Sequence, residues 1–187
     1  LPFLLSACAG HLSDTDKIRH CFEQYKQSLI DHNGQQAVQL VSQESIAYFD
    51  SVLHKILYSD SLSLDQESVE TKFLALLIRQ TLPSSEILPM KGRDLLIYSI
   101  NHQMTRMRYF TGYSIGKITI SQHSATGRQV SKKGASPFLF RFAKEGNSWK
   151  IEMAEFFEDI RLNRTPVPGL KEAKAVLAVV EKIYRKK

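Results

Sequence analysis

The chain has only two cysteines in 187 residues, Cys8 and Cys21. Two thiols so far from any third make no disulfide framework, and without His or Cys partners at ligand spacing they make no zinc site. The sequence contains no glycine-rich phosphate loop, no His-Glu-x-x-His and no Gly-x-Ser-x-Gly. It therefore offers no ground for a nucleotide site, a zinc peptidase or an esterase elbow. No cofactor and no metal are expected. No segment is long and apolar enough to span a bilayer as a helix. Internal repeats and low-complexity tracts are absent as well.

What the chain does contain is an ordinary globular composition, 43% apolar and 24% charged, with length enough for one domain and a real core. Its net charge of +6 is unevenly spread. From Pro168 to Lys187 there are six Lys or Arg against Glu172 and Glu181, so this tail carries four of the six excess charges. The body is nearly balanced, which argues against a nucleic-acid groove built into the fold. The tail, residues 165–187, is read as a linker followed by a basic helix from Leu170 to Tyr184. Its cations suit a solvated helix C-terminus, with anionic lipid or an acidic partner as the alternative.

Ser13-x-x-Asp16 opens a first helix, and Ile18, Cys21, Phe22, Tyr25 and Leu29 follow one helical face until Asn33-Gly34 stops it. A short helix through Ala37 to Val41 and a longer one with Ile46, Phe49, Val52, Leu53 and Ile56 inward come next. Ser63-x-x-Gln66 is read as the cap of a helix burying Val69, Phe73, Leu76 and Leu77, and a last helix runs from Gly92 to about Asn101. After His102 the pattern becomes that of strands. Ile115, Ile118 and Ile120 begin it, Ala125-Thr126-Gly127 is read as a turn, and Arg128 to Lys133 as a polar edge strand. Ser136 to Phe157 reads as a hairpin. Phe138, Phe140 and Phe142 share one face of its first arm, Trp149, Ile151 and Met153 one face of the second, and Gly146-Asn147 lies in the turn. Helices followed by an antiparallel meander is an α+β plan.

Two resemblances give this plan an address and a family. Leu5-Ser6-Ala7-Cys8, at the end of a short apolar run, resembles the lipobox of bacterial lipoproteins. That resemblance implies lipidation of Cys8, with residues 1–12 a signal remnant and tether. Ala9 in the next position resembles the pattern of outer-membrane sorting, so the implied location is the bacterial cell envelope, lipid-anchored and facing the periplasm. The helix pair around Asn33-Gly34 and the closing Gly146-Asn147-Ser148-Trp149-Lys150-Ile151 resemble the nuclear transport factor 2-like superfamily, over about residues 13–164. The segment Lys91-Gly92-Arg93-Asp94-Leu95-Leu96-Ile97-Tyr98 is similar to a stretch of bacterial envelope members of unassigned function. This resemblance implies N-terminal helices held in a strongly curved antiparallel sheet, a cone, and a homodimer through its open face. It says little about activity, because that fold serves enzymes and binding modules alike.

Catalytic candidates are few. Tyr98 and His102 are four apart on one helix, as are Asp50 and His54, whose neighbours Ser51 and Lys55 suggest a wet face. Glu152 and Arg141 alternate away from the apolar faces of their strands and are expected to pair across them. Tyr109, Phe110 and Tyr113, beside Arg106 and Arg108, form an aromatic and basic loop that reads as a packed loop, a lid or a partner-binding edge. Tyr109, Tyr113, Arg141, Phe140 and Trp149 are thus the candidate pocket or partner surface. The favoured expectation is a non-catalytic envelope domain binding a protein or a small apolar ligand, with no nucleic acid. The competing expectation is a cofactor-free isomerase or dehydratase using His102 or Glu152 with Tyr25 or Tyr98.

Overall fold

The computed structural model describes residues 12–104, 108–132 and 134–154. The chain runs α1 (Asp14–Ile30), α2 (Gly34–Val38), α3 (Gln43–Tyr58), α4 (Ser61–Asp65), α5 (Val69–Thr81), α6 (Ser84–Ile87), α7 (Gly92–Asn101) and α8 (Arg108–Thr111). Four strands follow: β1 (Ser114–Ser121), β2 (Ser124–Ser131), β3 (Gly134–Glu145) and β4 (Ser148–Glu152). They form one antiparallel meander in the order β1-β2-β3-β4. The α+β plan therefore holds, with the sheet open rather than closed into a barrel. The basic tail, including the expected final helix, lies outside the described residues, and so does Cys8.

Four helix starts have a local cause. Ser13, Ser42, Asp60 and Ser68 accept, through their side chains, the amides of Asp16, Ser45, Ser63 and Thr71 and so cap α1, α3, α4 and α5. Ser63, the expected cap, lies inside the short α4: Asp60 starts α4, and Ser68 starts α5. The inward face of α5 also differs from expectation. Thr71, Leu74, Ala75, Leu76 and Ile78 are buried, while Val69, Phe73 and Leu77 are half-buried. Thr71, Leu74, Ala75 and Ile78 keep the spacing of one helix face, but a polar threonine opens that stripe and apolar residues also stand beside it.

α1 lies across one face of the sheet. Ile18, Cys21, Phe22, Tyr25 and Leu29, the predicted stripe, are all buried. Beneath them Phe138, Phe140 and Phe142 of β3 and Ile151 of β4 supply the sheet side of the core. Phe22 and Phe140 meet with ring centroids 4.6 Å apart. α7 packs against α2 and α3, and two glycines permit it. A Cβ on Gly34 would stand 2.5 Å from the Ile97 carbonyl oxygen, and one on Gly92 only 2.3 Å from the Asp50 amide nitrogen. Gly34 is therefore a packing glycine at the start of α2, not the stop of α1. The residue that ends α1 is His32, at φ 52°.

The sheet corrects two further expectations. Ala125-Thr126-Gly127 lies inside β2, and the turn falls at Gln122-His123, with Gln122 at φ 49°. β2, which includes Arg128 to Ser131, is an inner strand between β1 and β3, not an edge. Its polar residues alternate onto the far face, while Ala125, Gly127 and Gln129 turn to the core. A bulge in β1 between Ile115 and Ile118 restores the alternation: Ile115 stands opposite Gln129, Ile118 opposite Gly127 and Ile120 opposite Ala125. One extra residue in the strand puts the three isoleucines on one face, where Ile115 is buried, Ile118 half-buried and Ile120, at the strand's end, exposed.

Candidate functional site

Among the described residues, a buried polar cluster forms where β4 meets the start of α3. Leu40 to Ser42 runs alongside β4 in the parallel sense, with Ile151 donating its amide to the Leu40 carbonyl at 2.7 Å and Ser42 donating to the Ile151 carbonyl at 2.9 Å. This seats the first turn of α3 over the face of β4 opposite Ile151, where Glu152 points. Ser42 donates its hydroxyl to Glu152 Oε2, and Ser45 donates its own to Oε1 at 2.8 Å. The Ala154 amide adds a third donor to Oε1 at 2.7 Å. The two serine oxygens are occupied in turn: Ser42 Oγ accepts the Ser45 amide and Ser45 Oγ accepts the Met153 amide. Ser42 and Ser45 are fully buried and Glu152 nearly so.

The carboxylate thus sits at the N-terminus of a 16-residue helix, where the backbone dipole favours negative charge. Both hydroxyls reach the carboxylate, Ser42 Oγ also lies 2.9 Å from Ser45 Oγ, and no histidine faces either serine among the described hydrogen bonds. A nucleophilic serine needs a base that can take its proton and a path for substrate. Here the arrangement is a clasp that ties the end of the sheet to α3. The cross-strand register does place Arg141 directly opposite Glu152, as alternation predicts. The described partners of the carboxylate, however, are the two hydroxyls and the amide.

The remaining catalytic candidates lie elsewhere. Tyr25 is buried among Phe110 and the core rings, and its hydroxyl donates to Met153 Sδ at 3.5 Å. Burial there pushes its ionisation well above the ordinary phenol range. His102 is exposed at the C-terminal end of α7, where its ring stacks on Tyr98 with centroids 3.9 Å apart. Its Nδ1 bonds the Tyr98 carbonyl at 2.9 Å. Tyr98 and His102 are therefore together, as their spacing predicts, but no described hydrogen bond joins them to Glu152 or Tyr25. The Asp50–His54 pair is split as well. Asp50 accepts the Gly92 amide at 2.5 Å and so caps α7, while the His54 ring meets Tyr58 at a tilt, with centroids 4.8 Å apart.

The candidate pocket residues are divided in the same way. Phe140 and Trp149 are buried parts of the core, Tyr113 packs half-buried against its rim, and Arg141 is half-buried on the far face. Phe110, from α8, fills the space between α1 and the sheet, 4.9 Å from Tyr25 and 5.2 Å from Phe140 between ring centroids. The side chain of Tyr109 lies outside the described residues. Trp149 touches one polar feature: Lys144 Nζ lies 5.6 Å from its ring centre and 2.7 Å from the Asp14 carboxylate. The Lys144 ammonium, and after it the nearby indole, hold the Asp14 carboxyl below the usual carboxylate range. The indole N–H itself meets no acceptor at full hydrogen-bond geometry. Cys21 is a buried thiol pushed up to about 11 by desolvation, which marks it as a packing residue rather than a reactive one.

Sequence reasoning pointed to Glu152 but missed Ser42 and Ser45. Their signal was present, since Ser42-x-x-Ser45 is a helix start, but nothing local says that a carboxylate 110 residues later in the chain would share it. No group of His, Cys, Asp and Glu among the described residues has the arrangement of a metal site, and none of their helices is long and apolar enough to cross a membrane. Comparison of the chain with protein-family models, with curated proteins and with solved structures finds no match.

Proposed function

We propose that this chain is a non-catalytic, nuclear transport factor 2-like domain of the bacterial cell envelope. Lipid on Cys8 tethers it to the outer membrane facing the periplasm, and it serves to bind a protein or a small apolar ligand. One observation carries the non-catalytic part. The groups that an isomerase or dehydratase would need are dispersed: Glu152 is bound by three donors at the α3 start, Tyr25 is sealed against Met153, and His102 is exposed at a helix end. General acid–base chemistry requires acid and base within reach of one substrate. The aromatic rings of Phe22, Phe110, Phe138 and Phe140 in mutual contact between α1 and the sheet favour a protein partner over an enclosed ligand. A helix, α1, laid on one face of an antiparallel meander is compatible with the cone-like plan. A homodimer through the open side of that sheet is the simplest first partner.

The test is intact mass and membrane fractionation of the full-length product in a bacterial host, beside Cys8→Ser. A lipid-sized mass increment and a membrane location, both lost in the variant, are expected. An unmodified protein in the soluble fraction overturns the anchored reading and moves a soluble small-molecule enzyme to the front.

A further inference from the structure

The dipeptide Asn33-Gly34 is chemically labile by nature. The glycine nitrogen carries no neighbouring side chain to shield it, so in an open chain it attacks the asparagine side-chain carbonyl readily. We infer that Asn33 is a latent deamidation site, held inert by the packing of α2 against α7 and released only when that contact opens. This goes beyond the proposed function and does not depend on it.

Three features of the fold block the reaction. The Gly34 amide, the nucleophile, donates to Asn101 Oδ1 on α7 at 2.7 Å. The Asn33 side chain, the electrophile, is held as the N-cap of α2, its Oδ1 accepting the Gln36 amide at 3.0 Å. The backbone of Asn33 at ψ 81° sets the Gly34 nitrogen nearly opposite Cβ across the Cα–C bond. Ring closure needs the two on the same side, so Asn33 must rotate and α2 must lose its cap first. The same packing explains why such a labile pair stands here at all. A Cβ on residue 34 would meet the Ile97 carbonyl oxygen at 2.5 Å and Asn101 Oδ1 at 2.8 Å, so the site accepts glycine alone.

When the contact opens, the Gly34 nitrogen bonds to Asn33 Cγ and gives up its proton to solvent. The Cγ–Nδ2 bond breaks, Nδ2 leaves as ammonia, and a succinimide remains. Water then opens the ring at either carbonyl, yielding aspartate or isoaspartate. Aspartate caps a helix as well as asparagine does. Isoaspartate adds a methylene to the main chain, which moves Gly34 off its close seat on α7. The product is a permanent mark on molecules whose α2–α7 contact has opened.

The test follows Asn33 by peptide mass mapping with isoaspartate detection during incubation of the whole protein at mildly alkaline pH. Native chain, chain unfolded in urea and folded Asn101→Ala are compared. Asn147, exposed in the β3–β4 turn, is the internal clock in each sample. Relative to Asn147, the native protein is expected to modify Asn33 at least about tenfold more slowly than the unfolded chain, since reaction then waits on local opening. Asn101→Ala, with its circular dichroism unchanged, is expected to recover much of that difference, and Asn101→Asp, which keeps an acceptor, to recover little. Equal rates in native and unfolded chain overturn the inference. So does a folded Asn101→Ala that stays as slow as the native protein. Should Asn101→Ala fail to fold, the native and unfolded comparison decides alone.

Discussion

Glu152 shows how a residue's neighbours decide its meaning. In sequence it is an acid in an apolar strand, expected to pair with Arg141 on the neighbouring strand. In the fold it is the acceptor of three donors, and two of those donors are themselves held by backbone amides. Each serine both donates towards the carboxylate and accepts a backbone amide, so the members of the network are coupled. Ser45→Ala removes one donor to the carboxylate and strands the buried Met153 amide at once. It should cost roughly 1–3 kcal/mol of stability, the usual penalty for orphaned buried polar groups. Urea denaturation read by circular dichroism measures it, and a loss within error of zero would mean that water replaces the hydroxyl. Glycines 34 and 92 make the complementary point. Gly34 reads as a helix stop and Gly92 as a helix start, yet their role is close approach to α7 and α3, information that resides in the partner surface rather than in the dipeptide.

Elements were most legible where one physical cause acts alone. The stripe of α1, the boundaries of α7 and the apolar faces of the closing hairpin follow from periodicity, and all lie where the pattern puts them. Helix ends were less legible, because this chain closes two of them without glycine. After α1, Asn33 donates to the Ser28 carbonyl and His32 to that of Leu29; after α7, Met104 donates to Ser99 and Gln103 to Ile100. Both are six-to-one closures whose pivot, His32 at φ 52° and Gln103 at φ 56°, sits in the left-handed region. A side chain there is strained, so His32→Gly and Gln103→Gly should each raise stability by about 0.5–1 kcal/mol. Thermal unfolding of the two variants checks this, and a fall in midpoint for both would show that the side chains make compensating contacts. Arg79 handles a third helix end, donating to the Lys55, Ile56 and Ser59 carbonyls at the close of α3. No propensity scale announces such a cap from 20 residues downstream.

For the whole molecule, the open sheet raises the question of its two edges. The β4 edge is covered by Leu40 to Ser42. At β1, Arg19 reaches from α1 to the Ile115 and Gly116 carbonyls at 2.8 and 2.9 Å, filling acceptors that another strand would otherwise seek. Arg19→Ala should therefore increase concentration-dependent association, read by sedimentation velocity across a dilution series, and an unchanged distribution would show that the bulge at Ile115–Ile118 protects this edge unaided. The sequence by itself determined the α+β class, the helical first half, the buried stripes and the hairpin, because period and capping are local properties of the chain. The tertiary structure alone decided that β2 is an inner strand, that two glycines are contact points, and that the Glu152 carboxylate takes its donors from the start of α3. Each of those depends on which distant segment arrives beside a residue, and the energy of a buried hydroxyl or a close backbone contact exists only once that segment is there.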